Sequence, residues 1–244
     1  MTTLTLVIPL YREAPRLADT IRQIAAFSLS DPEVEVDTIF VNDGSPDDTE
    51  TVVTKLIAES GLSRTRMISY AQNQGKGYAV KTGVLAAMGE LILMSDCDLS
   101  SPLTEWRKLK QAIDGGADFA CGSRVVPGAD IGKPQPIHRR LLGKLFRLFI
   151  HLAGVRGVHD TQCGFKLFKS APAKEVFGRL RIRRFAFDVE MIVTAQDLGY
   201  RVQEVPVHWD YSGFSTVRVL SNGSKMLWDV FCLLIRRTFR KAHR

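Results

Sequence analysis

The sequence predicts an α/β protein, an open and mainly parallel sheet flanked by helices, with basic amphipathic helices toward the C-terminal end. Three observations point there. Apolar runs of strand length recur through the first half of the chain, at residues 4–10, 36–41, 67–70 and 91–95, as strands buried on both faces require. Segments with apolar residues at helical spacing separate them, and that alternation makes right-handed parallel crossovers. Several of the runs stop abruptly in polar residues, which is where open α/β sheets place their ligands.

The first strand, residues 4–10, leads into a helix over 12–27 whose Leu17, Ile21, Ile24 and Ala25 recur at helical spacing. The second, 36–41, ends in Asn42-Asp43-Gly44-Ser45-Pro46-Asp47-Asp48-Thr49, a turn followed by acids and a threonine suited to a helix start. After the third strand, 67–70, Gln72-Asn73-Gln74-Gly75-Lys76-Gly77 opens a helix over 78–88, and the fourth strand follows. A short strand at 119–121 precedes Gly122-Ser123-Arg124, where the chain can turn back toward the sheet edge. Helices are expected at about 138–153 and 225–241, with a late strand at 202–207 and a loop over 209–218 between them. Neither an internal repeat nor a low-complexity segment interrupts the pattern.

At 244 residues the chain can bury one large core, and we expect a main domain over 1–215 followed by a basic amphipathic helix over 216–244. A hydrophobic content of 45% with 24% charged residues describes an ordinary globule. The formal charge of +7 asks for an anionic partner: nucleic acid, a membrane surface or phosphorylated ligands. Nucleic acid is disfavoured, because the basic residues alternate with large apolar ones on helices and neither an RNP-type nor a helix-turn-helix pattern is present. Cys97, Cys121, Cys163 and Cys232 include no C-x-x-C pair and lie in apolar contexts, which argues against zinc and a disulfide framework and for a reducing compartment. Residues 1–10 lack the basic leader and cleavage site of a secretory signal, and no run approaches the ~18 apolar residues of a membrane span. Any meeting with a membrane is expected at its surface.

The candidate site centres on Asp96 and Asp98. Two acids one residue apart, beyond a buried strand, can together meet one hard divalent cation of the kind that bridges protein carboxylate and diphosphate. A solvated turn can carry the same pair; the preceding buried strand is what makes it a candidate. On a parallel sheet the strand ends share one edge, so Pro9, Tyr11, Glu13 and Asp43 should converge on the same crevice, where Glu13 and Asp43 can accept from a ribose or a base N–H. Residues 42–45 taken alone read equally well as a turn with a helix cap. Gly75-Lys76-Gly77 lacks Walker A spacing, yet its backbone N–H groups and the Lys76 charge can approach a phosphate at a helix start; a glycine-eased connection is the other reading.

Two basic helices add a second theme. Over 138–153, Arg140, Lys144, Arg147 and His151 align on one face while Leu142, Leu145, Phe146, Phe149 and Leu152 fill the other, as in a helix lying on an anionic membrane or in a half-buried one. Over 225–241, the apolar residues Met226, Leu227, Trp228, Val230, Phe231, Leu233, Leu234 and Ile235 leave a narrow polar stripe of Lys225, Asp229, Arg236 and Arg240. So basic a tail can attract anionic lipid at about 1 kcal/mol per basic residue near the surface; a homo-oligomer contact or a core helix is the alternative.

Residues 7–13 (Val-Ile-Pro-Leu-Tyr-Arg-Glu), Val41-Asn42-Asp43-Gly44-Ser45 with Asp47 and Thr49, Asn73 with Gly75-Lys76-Gly77, and Ser95-Asp96-Cys97-Asp98-Leu99 together resemble the family 2 glycosyltransferases of GT-A (Rossmann-like) fold. Cys121-Gly122-Ser123-Arg124, residues 160–168 (Asp-Thr-Gln-Cys-Gly-Phe-Lys-Leu-Phe) and Phe185-Ala186-Phe187-Asp188-Val189-Glu190 are similar to that family's polyprenyl-phosphate hexose synthases, the dolichyl-phosphate β-glucosyltransferases above all. The likeness runs from about residue 4 to about residue 210. It implies a hexosyltransferase with a nucleotide-sugar donor, a Mg²⁺ or Mn²⁺ ion and inversion at the anomeric carbon. Carried across, it puts Pro9, Tyr11, Glu13, Asp43, Lys76 and Gly77 around the nucleotide and Asp96 and Asp98 on the metal. Asp160 and Gln162 fall toward the sugar and acceptor, and Asp188 becomes a candidate base or sugar ligand, although acids near a helix start also serve as caps. Where the mannosyl branch commonly has Gln two residues after the second acid, this chain has Ser100, which leans the donor toward UDP-glucose over GDP-mannose. The resemblance also makes 209–218 a segment that orders when donor binds.

A sugar leaving a nucleoside diphosphate passes through an oxocarbenium-like state while negative charge gathers on the diphosphate. A phosphate monoester acceptor is largely ionised at neutral pH, its second pKa being ~6, so the site needs cations more than a strong base. Forked guanidinium groups suit this, and Arg124, Arg139 and Arg140 are the candidates for the acceptor phosphate, with a salt bridge to a neighbouring carboxylate as the alternative for Arg124. The expectation is an enzyme peripheral to the cytosolic face of a membrane, moving glucose from UDP-glucose onto a polyprenyl phosphate. A GDP-mannose-dependent enzyme, or a family 2 transferase with a polysaccharide or other non-lipid acceptor, is the alternative.

Overall fold

In the computed structural model, which describes residues 1–30, 32–133, 150, 154–211 and 219–242, four strands stand where the early apolar runs predict them. They are β1 (Thr2–Leu10), β2 (Val34–Asp43), β3 (Thr65–Tyr70) and β4 (Leu91–Met94). The second half adds β5 (Phe119–Ser123), β6 (Asp130–Ile131), β7 (Lys166–Lys169), β8 (Val202–Pro206) and β9 (His208–Trp209). Helices α1 (Leu17–Ser30), α2 (Thr49–Glu59), α3 (Lys76–Ala86), α4 (Trp106–Asp114), α5 (Ser170–Arg179), α6 (Phe187–Asp197) and α7 (Val219–Ala242) connect and follow them.

One seven-stranded sheet runs in the order β3-β2-β1-β4-β7-β5-β8, parallel except for β7, which is antiparallel to both β4 and β5. β6 and β9 form a separate parallel ribbon. The period of two along β1 divides the core. Leu4, Leu6, Ile8 and Leu10 pack with Leu17, Ile21 and Ile24 of α1 and with Trp106 and Leu109 of α4, whereas Val7 faces Ala79, Val80 and Val84 of α3. Each such side chain contributes about 1.5–3 kcal/mol by its burial, so the sheet is held from both faces.

Several expectations need correction. The helix expected over 12–27 divides: Arg12 adopts a left-handed backbone with φ 59°, a 3-10 turn covers Ala14–Arg16, and α1 begins at Leu17. The Thr49 hydroxyl takes the N–H groups of Glu13 and Ala14 at 2.9 and 3.1 Å, so this segment is tied to α2 instead of continuing a helix. β2 runs on through Asn42 and Asp43, because Asn42 pairs with Leu10 and Asp43 with Tyr70; Asp43 is a strand-end acid, not part of a turn. β7 was not anticipated. Its Lys-Leu-Phe-Lys, recognised in the sequence only as part of a motif, lies inside the sheet with Lys166 wholly buried.

The C-terminal helix exists and is longer than expected. Val230 and Leu233 sink into the core. Arg237 pairs with Asp197 at 2.7 Å, and Arg184 reaches back to Asp229 at 3.0 Å. Part of the polar stripe is therefore spent on the body of the protein, Asp229 on Arg184 and Arg236 within 4.0 Å of Glu190, partners that the helix sequence alone does not reveal. The outward stripe is apolar instead: Leu227, Trp228, Phe231 and Ile235 are all exposed, one to two turns apart. The basic helix expected over 138–153 and the segment 212–218 lie outside the described residues, Ile150 excepted, as does the Arg240 side chain. Among the described residues, no helix is long and apolar enough to cross a membrane. The four cysteines are free thiols, and burial pushes Cys121 up to about 12 and Cys163 up to about 11, so neither is a ready nucleophile.

Candidate active site

The carboxyl ends of β1, β2, β4 and β5 meet on one edge of the sheet, and the reversal of β7 brings its first residue there too. Lys166 pairs across to Met94 on one side and to Cys121 on the other. Both halves of the predicted site are thus joined by a strand that the sequence reading did not contain.

Beyond β4, Ser95 donates its N–H to Val7 O at 3.1 Å and the chain turns sharply. Leu99 N–H donates to Asp96 O at 3.1 Å, Ser100 N–H donates to Asp98 Oδ1 at 3.0 Å, and Leu99 takes a φ of 44°. A leucine held there costs on the order of 1 kcal/mol or more, which neighbouring contacts must offset. One of them is the Thr20 hydroxyl of α1, which donates to Cys97 O at 2.7 Å. Cys97 is buried while Asp96 and Asp98 on either side of it are partly exposed.

Lys76, the first residue of α3, places its Nζ 2.5 Å from Asp96 Oδ1. Burial pushes Asp96 up, but Lys76, with Lys166 and Arg124 behind it, outweighs that and holds its carboxyl below the usual range. Glu13 behaves oppositely. Burial, opposed by Arg16 and reinforced by Asp98 and Asp96, pushes its carboxyl up to about 7. Its Oε2 stands 3.0 Å from Arg16 Nε without hydrogen-bond geometry.

The remaining residues predicted for the nucleotide side lie on the same edge. Pro9 and Tyr11 are partly buried at the end of β1, and Arg12 stacks over the Tyr11 ring at 5.4 Å. Asp43 accepts the Asn73 side-chain amide at 2.8 Å and the N–H groups of Gln74 and Gly75 at 2.7 and 2.9 Å. Its carboxylate therefore shapes the loop that launches α3, and burial still leaves its pKa raised. At Gly77 a β-carbon would come within 2.6 Å of Phe187 Cβ and 2.9 Å of the Arg184 and Ile182 carbonyls, so the bare residue lets α3 begin against the segment before α6.

On the other side of β7, Arg124 is locked in place. Its backbone N–H and Nε donate to Asp160 Oδ2 at 3.0 and 2.7 Å, and Nη2 donates to Oδ1 at 2.8 Å. Asp160 is held in turn by the buried Glu204 carboxylate, which accepts the N–H groups of His159 and Asp160 at 2.8 and 2.7 Å. The neighbouring-carboxylate alternative for Arg124 is thus what the structure contains, and the guanidinium also lies over the Trp209 ring at 5.4 Å. Gln162, two residues after Asp160, donates its amide to the Thr161 hydroxyl at 3.4 Å. Arg139 and Arg140 lie outside the described residues.

Asp188, in the first turn of α6, is 4% exposed and accepts Lys166 Nζ at 2.5 Å, while the same Nζ donates to Cys163 O at 2.5 Å. Burial leaves the Asp188 carboxyl raised despite Lys166 and Lys76. Lys166, Gly164 and Glu204 are the residues here to which sequence reasoning assigned no role, and Trp209, expected only as the start of a loop, lies in β9. A lysine between Gly-Phe and Leu-Phe was the available signal, since a charge inside an apolar strand needs a partner.

Among the described residues, no group of three or more His, Cys, Asp and Glu is placed to hold a metal. Asp96 and Asp98 nonetheless fit Mg²⁺ or Mn²⁺: they offer hard oxygen donors on one side, Asp96 already accommodates a positive charge, and a bound diphosphate would supply oxygens on the other.

Comparison with known proteins identifies the family and the fold. The model of the glycosyl transferase family 2 matches residues 5–177. A dolichyl-phosphate beta-glucosyltransferase of Trichomonas vaginalis is 36% identical over 241 residues, spanning 95% of this chain and 70% of the relative. Those of Dictyostelium discoideum and Homo sapiens are each 32% identical, spanning 96% and 84% of this chain and 74% and 67% of their own. Among solved structures, glucosyl-3-phosphoglycerate synthase from Mycobacterium tuberculosis, in complex with Mn²⁺, UDP-glucose and glycerol 3-phosphate, superposes with a TM-score of 0.68 at 19% identity, covering 97% of this chain and 80% of that one. Mannosyl-3-phosphoglycerate synthase from Rubrobacter xylanophilus gives 0.69 at 17% identity, covering 100% and 75%. At these identities the two structures establish the fold.

Proposed function

Since the chain belongs to glycosyl transferase family 2 and is a hexosyltransferase of GT-A fold, we propose that it transfers glucose from UDP-glucose to a polyprenyl phosphate at the cytosolic face of a membrane. The observation that carries the reading is topological: the Asp96/Asp98 turn and the Arg124 fork lie at one sheet edge, on strands β4 and β5 that flank β7. One side suits a nucleoside diphosphate, the other a second phosphate.

In this scheme Pro9, Tyr11, Glu13, Asp43, Lys76 and Gly77 line or shape the nucleotide side, and Asp96 and Asp98 hold a Mg²⁺ or Mn²⁺ ion, which supplies positive charge to the departing diphosphate. Lys76, at the start of α3, adds positive charge on the same side. The acceptor phosphate brings an already ionised oxygen, so the chain's task is to hold it close and in line. Arg124 suits that task because Asp160, braced by Glu204, freezes the guanidinium plane before any ligand arrives. Arg139 and Arg140 complete the proposed phosphate set, with Asp160 and Gln162 toward the sugar. Asp188 already engages Lys166, and this scheme asks no base of it; it holds the lysine that lies behind Asp96.

We assign residues 1–215 to catalysis and the C-terminal helix to the membrane surface. The exposed stripe of Leu227, Trp228, Phe231 and Ile235, in a chain of charge +7, supports a peripheral position beside a lipid-borne acceptor.

The test is transfer of radiolabelled sugar to polyprenyl phosphate from a panel of donors, with and without EDTA. Label should enter the organic phase from UDP-glucose and only with a divalent cation. Label from GDP-mannose alone would overturn the donor, and EDTA-resistant transfer would overturn the metal.

A further inference from the structure

Lys76 stands where the cation must work. Its Nζ lies 2.5 Å from Asp96 Oδ1, an oxygen of one of the two carboxylates in the proposed metal site, with Asp188 and Asp98 adding negative charge around it. An ammonium that close and a divalent ion on the same carboxylate repel each other strongly in a partly buried site, where the Lys76 and Asp96 side chains are only 22% and 40% exposed. The obvious alternative partner, Asp188, is already engaged by Lys166 at 2.5 Å. Asp96 has little room to swing away, because Gly164 packs directly on its carboxylate. Lys76, on a flexible four-carbon stem, can move without displacing α3.

We infer that Lys76 is an exchangeable counter-ion, which neutralises Asp96 until the divalent cation arrives and then passes to the nucleotide diphosphate that comes with it. The inference rests on the proposed cation site and adds an order of events to it. A cation alone must evict an ammonium that has nowhere equivalent to go; with a diphosphate present, the ammonium gains a new anionic partner. Cation and nucleotide therefore each strengthen the other's binding, by the same factor in either direction.

The experiment uses the full chain with Mn²⁺ alone, UDP alone and the two together, reading free Mn²⁺ by electron paramagnetic resonance and UDP by calorimetry. Wild type should bind Mn²⁺ weakly alone and at least tenfold more tightly with UDP. Lys76→Gln should bind Mn²⁺ alone several-fold more tightly than wild type, bind UDP less tightly at saturating Mn²⁺, and lose most of the mutual enhancement. Lys76→Met, with its fold checked by circular dichroism, must shift in the same direction. If Mn²⁺ alone binds the variants no more tightly than wild type, the exchange is overturned while the cation site stands. If wild type takes up no Mn²⁺ even with UDP, the site and the exchange fall together.

Discussion

A β-carbon on Gly164 would overlap the carboxylate of Asp96, coming within 2.5 Å of its Cγ. The glycine is a wall of the site, built from the loop that enters β7, and the carboxylate leans on it.

Gly164→Ala should therefore turn Asp96 away from its present orientation. We expect transfer to fall on the order of tenfold or more, about 1.4 kcal/mol, with part of the loss recovered at high Mn²⁺. A Mn²⁺ titration of activity checks this; an unchanged metal requirement would count against the contact.

Asp96→Ala and Asp98→Ala should each reduce transfer by roughly 100-fold or more in folded protein, because each removes one of the two carboxylates proposed to hold the metal. The comparison is initial rate at saturating donor, with melting curves showing that the variants remain folded.

The buried Glu13 should make stability depend on pH. Its carboxyl rises from 4.5 to about 7 on folding, so the neutral form is the one the fold favours. That contribution is fully present below pH 4.5 and is lost as pH climbs through 7. Glu13→Gln should be more stable than wild type at pH 8, by about 1–3 kcal/mol, and the difference should shrink toward pH 5. Urea titrations in EDTA at several pH values measure it.

Arg124→Lys should separate acceptor binding from donor chemistry. A lysine cannot span both oxygens of Asp160, so the cation is no longer held in one plane. We predict that the KM for lipid phosphate rises roughly tenfold, about 1.4 kcal/mol, while slow hydrolysis of the sugar nucleotide by water keeps its rate. Equal losses in both reactions would place Arg124 on the donor side instead.

Trp228→Glu with Phe231→Glu should abolish sedimentation with vesicles containing anionic lipid, yet leave transfer to a short, water-soluble polyprenyl phosphate within about twofold, since both side chains are exposed. Unaltered sedimentation would point to another use of that stripe, contact between copies of the chain among them.

The half of the sheet that we propose for the donor was legible in the sequence as fold, because its four strands are local, apolar and in order and their ends carry the acids. The half that we propose for the acceptor was legible only as motif. β7 has four residues and two lysines, and no periodicity shows that Lys166 points into the core toward Asp188 on a helix further along the chain. Arg124 illustrates the same limit. Its residue type and place at the end of a strand were plain, but Asp160 as its partner depends on a loop returning from well downstream. The polar stripe of the last helix failed for a related reason: Arg184 and Glu190, which draw part of it inward, belong to a different segment.

The reversed strand also bears on how the chain is made. β5 lies between β7 and β8 and pairs with neither β4 nor any strand before it, so it leaves the ribosome ahead of both its neighbours. Until they emerge, Phe119–Ser123 is an apolar ribbon with two bare edges. The first four strands can associate early, while the remainder waits on contacts far apart in the chain. Nascent chains from which residue 123 has emerged but residues 166–206 have not should accordingly be the ones that chaperones hold longest, and those from which residue 206 has emerged the first to be released.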